Sequence, residues 1–202
     1  MVKEYSSKDK RFYNSVNSID SYRKFYSNDD IKGIIKIESL DISSLIMQSD
    51  DNDYYLNHLE NKEENIYGSL MLDYRTNLDN DKINIIYGHS SESEITPFKR
   101  LEKYLNYDFY NNNRYINIIT DTNEYKYEIF SVVNINKNNN RYLNIEFNNE
   151  QEYLDYINWL KNLSIYDSNI VLSSTNQILI LQTCSSQKND EFLLIISRKV
   201  SD

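Results

Sequence analysis

The chain has 202 residues, 40% hydrophobic and 26% charged, with a formal net charge of -9. That is enough for one domain with a real core, and the negative charge argues against nucleic acid or an anionic membrane surface as the main partner. One cysteine excludes an internal disulfide framework and any CxxC site, and two histidines, His58 and His89, disfavour a histidine-rich zinc site. Nineteen tyrosines against three glycines and one proline point to many strands joined by Asn- and Asp-rich turns.

In chain order, residues 1–30 read as a helical arm. Phe12, Val16, Ile19, Tyr22 and Tyr26 recur at helical spacing, a stripe suited to packing on the domain that follows, 31–202. Strand-like runs follow at 33–39, 68–74, 82–89, 114–121, 124–135, 177–184 and 191–200. Several alternate in polarity, as half-buried strands do. The acidic stretch "SDDNDYY" (49–55) lacks the glycine and distal glutamate of a calcium loop, so no metal is assigned. His58, in the polar segment "LNHLENKEEN", is expected to be exposed.

Two helices interrupt the strands. "TPFKRLEKYL" (96–105) opens on a threonine cap with Pro97 at the first helical position. "NNEQEYLDYINWLKNL" (148–163) places Leu154, Ile157, Leu160 and Leu163 on one stripe. Seven or eight strands with two inserted helices predict a mainly β protein with peripheral helices, built on a closed or nearly closed barrel. No run approaches the roughly 20 apolar residues of a membrane span, and no signal peptide opens the chain.

Two strand ends carry the chemistry. "KINIIYGH" ends on His89 and "QILILQTC" on Cys184, the one cysteine. A lone cysteine is often a small core hydrophobe, and a strand-end histidine is often satisfied by a nearby carbonyl. Together at one barrel rim they would instead be a nucleophile and its acid–base partner. Gly88, beside His89, would let another group approach closely.

The order Tyr-Gly-His, then Thr-Cys, resembles the sortases, cysteine transpeptidases of Gram-positive cell surfaces. "DNDYYLNH" (51–58), "GSLMLDYR" (68–75), "IIYGHS" (85–90) and "RYLNIEFNNEQEYLDYINWL" (141–160) look like successive motifs of the class B branch. The resemblance covers roughly residues 12 to 200. It implies an eight-stranded barrel with an N-terminal helix and a long helix before the cysteine strand.

It also implies a mechanism. Cys184 would attack a threonine carbonyl in a C-terminal sorting signal and form a thioester. His89 would protonate the departing amine and deprotonate an incoming one, from a cell-wall peptide cross-bridge or another protein's lysine. Asn52, Leu56, Tyr87, Tyr142 and Leu143 match positions that line the family's substrate groove, and the tyrosine–leucine pair just before the long helix would face that groove. No cofactor is implied. The enzyme would work at the extracellular face of the membrane, held by an N-terminal anchor trimmed from this chain.

One family residue is missing. An arginine at the start of the last strand holds the substrate or the oxyanion in sortases, and here the ungapped position is Phe192; a one-residue gap puts Glu191 there. Arg198 lies about 20 Å further along the strand. Lys188 is nearer but lacks the guanidinium fork. Backbone N–H groups near Cys184 are the remaining donors. The missing arginine leaves two alternatives: a transpeptidase, weakened or compensated, and a sortase-fold protein that binds a sorting signal or surface partner without turnover.

Overall fold

A computed structural model describes residues 18–91, 96–185 and 188–200. Eight strands close into a barrel in the order β1-β2-β3-β4-β7-β8-β6-β5. They are β1 (Ile31–Ile37), β2 (Ile42–Met47), β3 (Leu70–Leu72), β4 (Ile83–Tyr87), β5 (Tyr115–Ile119), β6 (Glu124–Asn136), β7 (Ile178–Cys184) and β8 (Glu191–Val200). β5 pairs back onto β1 and completes the closure, which removes the exposed edges an open sheet would carry. The pairs β2/β3 and β4/β7 are parallel.

The strand missing from the sequence reading is β2. Its Ile42 and Ile46 fill the barrel interior, while Leu45 and Met47 are covered from outside. Burial on both faces erases the alternation that marks a half-wet strand.

Outside β1 and β2 lies helix α1 (Ile19–Tyr26), started by Ser18, whose side chain accepts from the Ser21 N–H. Ile19 and Tyr22 bury against Ile31, Ile34, Leu45 and Met47. Phe12 and Val16 of the expected stripe fall outside the described residues.

The segment Pro97–Leu105 is a 3-10 helix rather than the expected α-helix, followed by the short helix α2 (Tyr107–Asn112). Thr96 does not cap it; its hydroxyl accepts from the Ser91 N–H at 3.0 Å. The tighter coil still buries Phe98, Leu101 and Tyr104 in the barrel core.

Helix α3 (Glu150–Asn162) covers the outer face of β4, β7 and β8. Asn149 caps it, accepting from the Glu152 N–H at 2.9 Å. Its buried stripe is Tyr153, Tyr156, Ile157 and Leu160, whereas Leu154 and Leu163 are only partly buried. The tyrosines displace the expected leucines because each ring fills core volume while its hydroxyl reaches a backbone carbonyl: Tyr153 that of Asn176, Tyr156 that of Tyr142. This packing accounts for much of the tyrosine-rich composition.

Candidate active site

β4 and β7 run parallel, so their C-terminal ends meet at one rim. The register pairs Ile83 with Ile178 and continues to Tyr87 with Gln182. One step on, the Gly88 N–H donates to the Gln182 carbonyl at 3.0 Å. That bond continues the parallel pattern and brings His89 level with Cys184, on strands about 4.8 Å apart.

Both side chains belong to the outer face. On β7, Leu179 and Leu181 point into the barrel while Ile178 and Ile180 pack beneath α3. Alternation then turns Thr183 inward and Cys184 outward, and β4 does the same with Gly88 and His89. Cys184 is half-buried. It is therefore shielded but reachable, unlike a core thiol.

Gly88 is required by packing. A Cβ there would come within 2.5 Å of Leu70 Cδ2 and 2.6 Å of Phe98 Cδ2. The strand reaches His89 only because its inward-facing neighbour has no side chain.

The His89 ring is held by its Nε2, 2.7 Å from the Leu56 carbonyl. A carbonyl can only accept, so Nε2 carries a hydrogen and Nδ1 is left to exchange protons. Leu56 sits in a 3-10 turn, Tyr54–Leu56, so one of the expected groove residues orients the histidine through its backbone. The other histidine is half-buried rather than exposed. His58 stacks on Tyr54 with ring centroids 4.0 Å apart, and its Nδ1 lies 2.7 Å from the Tyr54 carbonyl.

Tyr87, two residues before His89, donates its hydroxyl to Asp73 Oδ2 at 2.6 Å. Asp73 is fully buried and also receives the Arg75 guanidinium at 2.9 and 2.8 Å. Burial works against its ionised form, but Arg75 and Tyr87 outweigh that and hold the carboxyl below its ordinary range. Burial first, and then the Asp73 charge, push the Tyr87 phenol far above its ordinary value, so it stays a donor. Arg75 also donates to the Leu143 carbonyl at 3.2 Å, which links this network to the segment before α3.

Tyr142 is 2% exposed and lies under α3. Its hydroxyl, pushed up to about 12 by burial, donates to Gln182 Oε1 at 2.7 Å, two residues before Cys184 on the same face. Leu143 is half-buried. Asn52 caps the far end, its Oδ1 accepting from the Tyr74 N–H at 3.0 Å. The structure thus joins Leu56 and Tyr87 directly to the His89 strand end and Tyr142 to the Cys184 strand, with Leu143 and Asn52 tied in at the β3 end. Asp73, Arg75 and Gln182 were not read from sequence. The signals were there: an acid and an arginine two apart in "LDYR", and a glutamine interrupting an apolar strand.

Phe192 is the direct partner of Cys184 on β8. The next pair along is hydrogen-bonded, with the Ser185 N–H donating to the Glu191 carbonyl at 3.1 Å. Cys184 and Phe192 are therefore a non-hydrogen-bonded pair, the kind whose side chains lie closest. Arg198 sits at the opposite end of β8, level with Ile178 and bound to Glu128 at 2.9 Å. Lys188 is paired with Glu191 at 2.8 Å.

Comparison with known proteins agrees with this fold. A sortase-domain family model matches residues 35–199. Sortase B of Listeria monocytogenes is 36% identical over 165 residues, 81% of this chain; the match spans 66% of that protein, so this chain covers about two thirds of its length. The solved sortase B of Clostridium perfringens superposes with a TM-score of 0.85 at 27% identity, over 91% of this chain and 100% of that one. A Staphylococcus aureus sortase B–substrate complex gives 0.83 at 26% identity, over 91% and 84%. With a family match over most of its length and a closed eight-stranded barrel of the same shape, this chain belongs to the sortase family, in its class B branch.

Proposed function

We propose that this protein is a cysteine transpeptidase that cleaves a C-terminal sorting signal after threonine and passes the acyl group to an amine. The observation that carries this reading is the parallel β4/β7 ladder, paired as far as Tyr87 with Gln182 and continued by the Gly88 N–H to the Gln182 carbonyl, which runs toward Cys184 on one strand and His89 just beyond the other. In the first step the Cys184 thiolate attacks the threonine carbonyl carbon and forms a tetrahedral oxyanion. Collapse expels the amine, which leaves with a proton from His89 Nδ1, and a thioester remains. The incoming amine returns a proton to His89, attacks the thioester and releases Cys184.

The substrate would lie along the outer face of the β4/β7 wall, beside Tyr87 and Leu143. That the S. aureus relative was solved with its substrate supports a peptide ligand. On this reading the reaction would take place at the outer face of the membrane of a Gram-positive cell, where a sorting signal on a surface protein would meet an amine in a wall cross-bridge. Phe192 at the position of the family arginine favours the second reading, in which the barrel binds such a peptide without turnover.

The two readings separate in one experiment. The protein is incubated with a library of pentapeptides carrying threonine at the scissile position, and intact mass is recorded. An acyl adduct on Cys184, absent in Cys184→Ala and reduced in His89→Ala, is expected. Peptide retained without an adduct would establish the binding protein instead.

A further inference from the structure

Acylation of Cys184, on the reading above, puts negative charge on a carbonyl oxygen just outside the β7/β8 rim. Something must stabilise that charge. The nearest following peptide N–H does not, since that of Ser185 is spent on the Glu191 carbonyl. Among the cations, Arg198 is at the wrong end of β8 and bound to Glu128, Lys188 is held by Glu191, and Arg75 is held by Asp73 and the Leu143 carbonyl.

Lys137 differs from all of these. It follows β6 directly, where Ile135 pairs with Phe192, and its N–H donates to the Asp190 carbonyl at 2.9 Å. Alternation puts its side chain on the same outer face as Ile135, Phe192 and Cys184. Its Nζ lies over the Phe192 ring, 5.3 Å from the centroid. It forms no ion pair among the described residues. An ammonium is drawn to the negative face of an aromatic ring, so Phe192 acts as a shelf that brings a cation from β6 across β8 toward the nucleophile on β7.

We propose that Lys137, resting on Phe192, supplies the positive charge for the oxyanion formed when Cys184 is acylated. The ring occupies the place where relatives carry the cation itself, and the charge comes from one strand further over. The four-carbon stem of lysine lets the ammonium leave the ring and meet the oxygen as charge develops.

The test compares two reagents. p-Nitrophenyl acetate acylates a thiolate through a tetrahedral oxyanion: the S–C bond forms, the carbonyl pair moves to oxygen, and collapse breaks the C–O bond and releases p-nitrophenolate. Iodoacetamide alkylates the same thiolate by displacing iodide, with no oxyanion. Lys137→Met should slow acetylation of Cys184 at least about tenfold, below the hundredfold or more of a fully preorganised donor because Lys137 is exposed. Alkylation should stay within about twofold, and Lys137→Arg should restore acetylation, since an oxyanion forms in the first reaction and not in the second. Lys188→Met should change neither rate. An equal fall in both reactions, no fall in either, or the same effect from Lys188→Met would overturn the proposal while leaving the transpeptidase reading intact. Wild-type protein that forms no acetyl adduct on Cys184 would overturn both.

Discussion

Gly88→Ala tests how the barrel interior positions His89. The added methyl would point inward, 2.5 Å from Leu70 Cδ2 and 2.6 and 2.9 Å from Phe98 Cδ2 and Cγ. Leu70 is 4% exposed and Phe98 0%, so neither has open space to retreat into. Overpacking of this kind costs about 1–3 kcal/mol. In a domain of this size each kcal/mol shifts Tm by roughly 2–4 °C, so thermal unfolding followed by circular dichroism should show a fall of about 2–12 °C. The backbone will relieve part of the clash by moving outward, which loosens the His89 contact with the Leu56 carbonyl. Acylation of Cys184 should therefore fall together with stability. Leu70→Ala makes room at the same point, so the double variant should be less destabilised than the sum of the single changes, by about 0.5–3 kcal/mol. An unchanged Tm, or strict additivity in the double variant, would refute the claim that interior packing sets the position of the histidine.

Asp73→Asn should destabilise the fold by about 1–3 kcal/mol at neutral pH, since an amide cannot accept from both Arg75 and Tyr87 as the carboxylate does. The Asp73 carboxyl is held below its ordinary value, so its contribution is present above about pH 3.9 and is lost as pH falls through the folded value. Urea titrations should accordingly show the gap between wild type and variant shrinking below about pH 4; a gap that widens there would contradict the network. Phe192→Arg in the Lys137→Met background should return a cation directly opposite Cys184 and raise acetylation by p-nitrophenyl acetate about tenfold or more. No gain would mean that charge at this face does not limit acylation.

The sequence marked seven of the eight strands because each has at least one recognisable apolar run bounded by polar turns. It hid β2, since Leu45, Ile46 and Met47 are buried on both faces in succession and only Ser43 and Ser44 at its start reach water, too few to show an alternation. It also hid the coil of Pro97–Leu105. Threonine followed by proline announces a helical start, and the choice between 3-10 and α was made by Phe98, Leu101 and Tyr104, which reach the core at a spacing of three.

The site was legible in a similarly uneven way. Cys184 and His89 could be read because one ends β7 and the other follows β4 by two residues, and a parallel pair puts both C-terminal ends at one rim, whereas an antiparallel pair would set the start of one strand beside the end of the other. Parallel pairing needs a long crossover, and the connection from β4 to β7 supplies it: it carries β5, β6 and α3, and α3 then packs on the same outer face over Ile83, Ile85, Ile178 and Ile180. The same connection delivers Lys137 at the end of β6, two strands from the cysteine. Nothing local to Lys137 distinguishes it from any other exposed lysine, and nothing local to Phe192 distinguishes it from a core aromatic. Their meeting depends on β8 lying between β7 and β6 and on both side chains falling on the outer parity. A substitution that looks like the loss of a catalytic cation along one strand is, across the barrel wall, a change in which strand provides it.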